Sequence, residues 1–447
     1  MTTFHADLAR RSVPRYTSYP TADRFSASVG ADDQRAALQG IDPGTPVSFY
    51  VHVPYCHEIC WYCGCNTGAI GRADRLLDYV GALEAEIDTV AGLLSGQLAA
   101  IHFGGGTPNA LPAATLAGLI DRLKSRFGRI ATVPVSVEID PRHCDGAYLE
   151  ALADAGVTRL SFGVQTFAEA VQRRINRVQP HRQVAALVAA ARGAGIASIN
   201  FDLLYGLPGQ TLEDIEETIA LSIALGPDRI AAFGYAHLPR AIPRQRMIDT
   251  ESLPDAASRF AQSAAIHERL VAAGYWAIGF DHFARPGDSL AIAARHGRLR
   301  RNFQGFTDED CDVVIGLGAS AISQFPDRIV QNEKHVGHYR SAVLGGGLAG
   351  AKGAVRDEQD RLRAALIERL LCDGSVDLPA RDRLGGPWAE QLAELVDRGL
   401  ARCDDARLAI TPSGRPYARL IAACFDDART VRQPAAPALS ADIATPA

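Results

Sequence analysis

The stretch YVHVPYCHEICWYCGCNTG, Tyr50 to Gly68, decides how this chain is read. Four of the nine cysteines fall inside it, at 56, 60, 63 and 65, beside two histidines and four aromatic rings. The spacing C-x3-C-x2-C of Cys56, Cys60 and Cys63 puts three thiolates on one short loop, each able to turn toward a common centre. Cubane iron–sulfur clusters usually take four cysteines, so three leave one iron open unless a fourth arrives from nearby. Cys65 is the nearest candidate, but it lies only two residues past Cys63, a tight reach for the opposite corner of a cube. The competing reading is structural zinc, held by all four cysteines or by three of them with His52 or His57. Zinc sites usually place ligand pairs on two separated knuckles, and no second pair exists here, which favours iron–sulfur.

The 447 residues carry a net charge of −5, with 47% hydrophobic and 22% charged residues. That composition supplies a sizeable core and excludes the basic footprint of a nucleic-acid-binding protein. No segment reads as a signal peptide or a membrane span, so a cytoplasmic location is expected. Thiols stay reduced there, and clustered cysteines are then metal-binding or catalytic rather than disulfide-bonded. The scattered Cys144, Cys311, Cys372, Cys403 and Cys424 read as small buried hydrophobes.

Around the cysteine stretch, β-rich runs alternate with helical segments. The strand candidates are 47–53, 99–104, 133–139, 159–165, 198–206 and 229–238. Leu76, Val80, Leu83, Ile87, Val90 and Leu94 mark an amphipathic helix after the first of them. Thr211 and Asp214 form a capping-box pattern ahead of another. Six βα units in series imply a parallel sheet with right-handed crossovers. The unusual residues all sit at strand C-termini, where parallel α/β folds place their sites. A curved sheet brings those ends to one mouth, so a partial (βα)6 TIM-like barrel is expected. Segments 278–288 and 301–323 read as strand and loop material covering the barrel.

The expected organisation is an N-terminal segment over the barrel mouth (1–44), the barrel and its extension (45–350), a helical, winged-helix-like C-terminal domain (351–430), and an Ala/Pro-rich disordered tail (431–447).

The other strand ends carry polar or glycine-rich signals. Phe103 to Pro108, FGGGTP, is either a simple tight turn or a place where the main chain approaches a ligand closely. It is not a P-loop, because no G-K-[ST] follows. Glu138 is an acidic residue on an apolar strand: a solvent-facing strand end, or an acceptor for an amino group or ribose. Gln165, Arg177 and Asp202 are surface residues or, together, the cation and acceptors that a zwitterionic nucleoside needs.

The three-cysteine loop after the first strand of such a barrel resembles the radical S-adenosylmethionine superfamily. The resemblance implies a [4Fe-4S] cluster on Cys56, Cys60 and Cys63, with S-adenosylmethionine on the open iron. RYTSYPTA (15–22), HFGGGTP, RINRVQ, NFDLLYGLPGQ, YAHLP, GFDHFARPGD, RNFQGFT, GLGASAIS, QNEKH and ACFD narrow the likeness to the oxygen-independent coproporphyrinogen III oxidase family, over about residues 10 to 430. A haem-chaperone relative shares much of the barrel, but its third cysteine is usually followed by Asp-Phe, where this chain has Gly64-Cys65. By resemblance, Tyr50, Gly105, Glu138 and Ile322 contact the cluster-bound S-adenosylmethionine. Tyr62 (where Phe is usual), Gly106, Thr107, Gln165, Arg177, Asp202 and Ala236 surround a second molecule of it.

The implied reaction oxidatively decarboxylates two propionates of a porphyrinogen to vinyl groups, with no side chain assigned a catalytic role beyond the cofactors. Arg15, Arg301 and Arg177 are the candidate cations for the substrate carboxylates, with Cys65 as a further substrate candidate. A reducing partner such as flavodoxin or ferredoxin, no nucleic acid, no membrane and a monomeric state complete the expectation. The segment RYTSYPTA is expected to fold over the barrel mouth.

Overall fold

The computed structural model describes residues 3–129, 132–379, 383–404 and 406–427, so the proposed tail at 431–447 lies outside the described residues. Six strands run parallel in sequence order: β1 (Pro46–Val53), β2 (Gln97–Gly105), β3 (Val135–Ile139), β4 (Arg159–Gln165), β5 (Ser198–Tyr205) and β6 (Arg229–Gly234). The crossovers carry helices α1 (Ala73–Ala91), α2 (Ala113–Arg126), α3 (Gly146–Asp154), α4 (His181–Gly193) and α5 (Leu212–Leu225). The expected capping box starts α5: Thr211 Oγ1 accepts from the Asp214 amide at 3.2 Å, and Asp214 accepts from the Thr211 amide at 2.8 Å.

The alternation within β4 and β5 makes a lumen. Leu160, Phe162, Val164, Ile199, Phe201 and Leu203 are buried and pack in the main core with residues of α3, α4 and α5. The intervening Ser161, Gly163, Gln165, Asn200 and Asp202 face the other way. A parallel strand buried on both faces normally reads as a continuous apolar run, so this polar face marks an interior built for a ligand. Each fully buried Phe or Leu on the outer face contributes roughly 1.5–3 kcal/mol, which stabilises the sheet without filling the lumen.

Past residue 275 the structure corrects the expectation. Val313–Leu317 pairs parallel with β1 on the side away from β2. Ile322–Gln324, Arg328–Asn332 and Gly350–Val355 then continue the sheet antiparallel. At the other edge, His282–Ala284 pairs antiparallel with β6, followed by Trp276–Ile278. These segments widen the sheet to twelve strands rather than covering it. The hairpin Arg300–Asn302 with Gly305–Thr307 puts Phe303 and Gln304 at the mouth, and Ile322 at the start of its strand joins them. The expected strand 229–238 also stops at Gly234, leaving Tyr235 and Ala236 to line the opening.

The C-terminal region has helices Glu358–Asp373, Trp388–Asp397 and Ala418–Ala423. The expected hairpin gains a third strand, Ser375–Asp377. Its core is shared: Leu8, Val13, Tyr16 and Tyr19 pack with Leu299, Phe306, Leu370, Trp388, Ile421 and Phe425. Tyr16 donates to Asp426 at 3.1 Å and Tyr19 to Asp427 at 2.9 Å, so the ACFD motif holds the RYTSYPTA segment. Of the scattered cysteines, Cys372 and Cys424 are buried, Cys144 and Cys311 are half-buried, and Cys403 is exposed. The reading as buried hydrophobes therefore holds for two of them.

One buried carboxylate escapes sequence reasoning. Glu86 on α1 accepts from the Gly318 amide, Asn332 Nδ2 and the Tyr339 hydroxyl, each at 2.7 Å. It thereby ties the added strands to α1. Burial lifts its pKa from 4.5 to about 7 despite these donors. A raised folded-state pKa means stability that is complete below about 4.5 and is lost as pH rises through about 7. In denaturant titrations between pH 5 and 8, the native chain should lose about 2.5 kcal/mol relative to Glu86→Gln, at ~1.36 kcal/mol per pKa unit.

Candidate active site

The cysteine loop has little regular structure, and other elements hold it. Its ends are joined where Tyr55–Cys56 pairs with Gly68–Ala69. Asn176 Nδ2 donates to the Ile59 carbonyl at 2.9 Å, and the Trp61 amide donates to the Ile175 carbonyl at 3.0 Å. Gln245 donates to the Tyr62 carbonyl at 2.9 Å and Arg244 to that of Thr67 at 2.8 Å. A loop whose peptide groups are satisfied in this way is rigid enough to present side chains at fixed positions.

Cys56, Cys60, Cys63 and Cys65 edge an inner cavity of about 250 Å³, whose walls include Gly105, Gly106, Thr107, Glu138, Gln165, Arg177 and Asp202. A mouth cavity of about 320 Å³ adjoins it, lined by Tyr50, Gly105, Glu138, Ala236, Ile322 and the N-terminal residues Pro14 to Ser18. Tyr62, Cys63, Cys65, Gly105, Glu138, Leu204 and Phe233 belong to both walls. Side chains from the ends of all six strands or the turns after them thus meet in one place, as a curved sheet requires.

The donor set fits a cluster. The four thiols are arrayed along the edge of a cavity, which suits a polynuclear group. Thr67 and Thr107 hydroxyls lie 3.1 and 3.4 Å from Cys56 Sγ. Arg142 and Arg177 each donate to Cys60 Sγ at 3.4 Å. The Cys65 amide donates to Cys63 Sγ at 3.4 Å. Hydrogen bonding from Cys65 lowers the Cys63 pKa, whereas the Cys65 thiol is pushed up by the same bond and by the charge on Cys63.

The glycines have a packing reason. Gly105 has φ +110°, and a Cβ there would stand 2.6 Å from the His52 ring. At Gly104 a Cβ would meet Glu138 Oε1 at 2.6 Å, and at Gly106 the Tyr55 amide at 2.8 Å. The turn is bare because β1, the cysteine loop and Glu138 close upon it, and its exposed edge forms the cavity wall.

The polar residues are braced rather than loose. Glu138 is hydrogen-bonded to His102 Nε2 at 3.2 Å. Asp202 accepts from Ser161 Oγ at 2.7 Å and Asn200 Nδ2 at 2.9 Å, and its burial raises its pKa. Gln165 adopts φ +65°, at a bulge between β4 and β5, which turns its side chain to the inner cavity. Arg177 donates to the Gly163 carbonyl at 2.6 Å and pairs with Asp140 at 3.2 Å.

Of the remaining candidate cations, Arg15 lines the mouth, its guanidinium 4.6 Å from the centre of the Phe233 ring. Arg301 lies behind that wall. It donates to the carbonyls of Tyr16 at 3.2 Å and Arg15 at 3.1 Å, and rests on the rings of Phe306 and Phe280. Burial lowers its pKa to about 10. Both of these hydrogen bonds go to the N-terminal strap. Asp140, Arg142 and Thr67 were missed from sequence; an Asp-Pro-Arg directly after β3, the strand that carries Glu138, was the available signal.

A parallel barrel that gathers three thiols, a glycine edge and braced acceptors at one mouth defines a radical S-adenosylmethionine protein, and residues 50–222 match the Radical SAM superfamily. The chain is similar to the oxygen-independent coproporphyrinogen III oxidase of Bradyrhizobium diazoefficiens, 43% identical over 94% of this chain and 96% of that one. It is 39% identical to the enzyme of that name from Escherichia coli, over 93% of each chain. A solved structure of the Escherichia coli coproporphyrinogen III oxidase superposes with a TM-score of 0.89 at 37% identity, covering 93% of this chain and 98% of that one. The chain belongs to the family of oxygen-independent coproporphyrinogen III oxidases.

Replacing Gly105 by Ala should destabilise the fold by about 1–3 kcal/mol through the left-handed backbone alone, and more through contact with His52. Thermal unfolding of the purified variant beside Gly118→Ala, a helical site with open space, measures the difference.

Proposed function

We propose that this chain converts coproporphyrinogen III to protoporphyrinogen IX without oxygen, by oxidative decarboxylation of two propionate side chains to vinyl groups. The observation that carries the reading is the composite mouth. The cysteine loop, the strand ends and the strap at Arg15 line adjoining cavities in a chain that matches the oxidases over nearly its whole length. Gly64-Cys65, in the wall of the mouth, supports the oxidase over the haem-chaperone relative.

Cys56, Cys60 and Cys63 would hold the [4Fe-4S] cluster. Tyr50, Gly105, Glu138 and Ile322 would contact the S-adenosylmethionine bound with it. Tyr62, Gly106, Thr107, Gln165, Arg177, Asp202 and Ala236 would surround a second molecule of S-adenosylmethionine. When bound, these cofactors would supply the radical chemistry for removing a β-hydrogen from each propionate, with loss of carbon dioxide and passage of the remaining electron to an external acceptor. The chain's own contribution is placement and exclusion of water. Glu138, oriented by His102, accepts from an ammonium group. Asp202, fixed by Ser161 and Asn200, accepts from a hydroxyl or ammonium group. Arg177 offers its positive charge to a carboxylate. Arg15 presents a cation to a propionate, and the strap it belongs to closes the mouth.

A one-electron donor such as flavodoxin or ferredoxin supplies the reducing electron. The chain works as a cytoplasmic monomer. Among the described residues no helix is long and apolar enough to cross a membrane.

The reading is tested anaerobically with reconstituted protein, S-adenosylmethionine, reductant and coproporphyrinogen III. Protoporphyrinogen IX and carbon dioxide are expected; haem binding with no carbon dioxide sinks the reading in favour of the chaperone. Cys60→Ser should lose the iron–sulfur absorption, whereas Cys65→Ser keeps it with reduced turnover; loss of the cluster in both makes Cys65 a ligand. Arg15→Gln should retain iron and S-adenosylmethionine binding while kcat/KM falls tenfold or more, the loss of about 1.4 kcal/mol of substrate interaction.

A further inference from the structure

If Cys56, Cys60 and Cys63 hold one cluster, the reading on which this inference rests, their sulfur atoms stand in unequal surroundings. Cys56 Sγ has two threonine hydroxyls beside it, and Cys63 Sγ receives a backbone amide. Cys60 Sγ faces two guanidinium groups, Arg142 Nη2 and Arg177 Nη1, each at 3.4 Å.

Both arginines are locked by one carboxylate. Asp140 Oδ2 lies 2.7 Å from Arg142 Nη2 and 3.2 Å from Arg177 Nη1, and all three side chains are less than a tenth exposed. Two buried cations side by side repel strongly, so the carboxylate between them is what permits the arrangement. Asp140 is itself fixed, since its amide donates to Asn109 Oδ1 at 2.9 Å and its Oδ1 accepts from the Arg142 amide at 3.1 Å. Arg142 Nη1 reaches outward to Glu58 at 3.0 Å and to the Asn176 carbonyl at 3.3 Å. Arg142 therefore approaches the Cys60 sulfur from the loop side, and Arg177 approaches it from the side of Gly163.

A charged N–H donor favours whichever state of a sulfur ligand carries more negative charge, and burial strengthens the preference. Reduction adds an electron to a cluster, and hydrogen bonds to its sulfurs set its potential. We infer that Arg142, held by Asp140, is a positioning residue whose N–H on Cys60 Sγ raises the cluster's reduction potential, easing entry of the electron that begins turnover.

The test uses full-length Arg142→Gln, Arg142→Lys and Glu58→Gln, reconstituted anaerobically. Iron and sulfide are measured, and the cluster is titrated against mediated potential by electron paramagnetic resonance, without S-adenosylmethionine. With iron and sulfide at the native level, Arg142→Gln should lower the reduced-to-oxidised ratio at fixed potential about tenfold, which is about 59 mV for a one-electron couple. Arg142→Lys, which keeps the charge, should fall less. Glu58→Gln, which loses the outer anchor but not the N–H on sulfur, should not fall. An unmoved ratio in loaded Arg142→Gln overturns the inference, as does an equal fall in Glu58→Gln. If Arg142→Gln fails to hold iron, Arg142→Lys carries the test by the same criterion. Loss of iron from both shows Arg142 to be scaffold and also overturns it. Native protein that binds zinc without iron or sulfide refutes the cluster reading itself, a result distinct from an unmoved potential.

Discussion

A loop that must keep three reactive thiols at fixed positions cannot rely on its own backbone hydrogen bonds, and the rest of this structure answers that constraint. The loop's carbonyls are taken by Asn176, Gln245, Arg244 and His52, which come from three other parts of the chain. His52 lies on β1 and reaches the Asn66 carbonyl at 3.0 Å, while Tyr79 on α1 fixes the carbonyl of His52 at 2.7 Å. Buried backbone groups without such partners would cost about 1–3 kcal/mol each, so the loop and its surroundings stand or fall together.

The same logic applies to the charges around the loop. Burial pushes the Asp140 carboxyl toward its neutral form, yet Arg177 and Arg142 hold it well below the usual carboxylate range. At Asp281, burial is opposed by His282, Arg301 and Arg15, which hold it at about 2. Buried ion pairs contribute little net stability, and removing one partner is costly. Their value here is positional. They fix guanidinium and carboxylate groups beside the cavities without leaving those groups free to drift into them.

Closure of the mouth is a second, separate solution. The N-terminal strap has no sheet to join. It is held by apolar packing of Val13, Tyr16 and Tyr19 against the C-terminal helices, by hydroxyl contacts to Asp426 and Asp427, and by Arg301 beneath its carbonyls. The first and last described segments are therefore packed together, although they lie at opposite ends of the chain.

Much of this was legible in the sequence. Spacing of Cys56, Cys60 and Cys63, the alternation of β-rich runs with helical segments, and the capping box at Thr211 are local patterns, and local patterns fix element type and strand-end chemistry. The resemblance then implied which cofactors the site takes. What local pattern could not say was which face of the structure a remote residue would join. Arg301 sits in a motif beside substrate candidates, yet its side chain turns under the strap. Val313–Leu317 reads as covering material, yet pairs with β1. Asp140 and Arg142 look like an ordinary turn after β3, yet they meet Cys60 in three dimensions. The sequence by itself determined the parallel barrel and the thiol loop, because strand periodicity and close spacing act over a few residues. Tertiary structure alone decided which charges share a cavity with the sulfurs, because that depends on strand register and on packing between segments far apart in the chain.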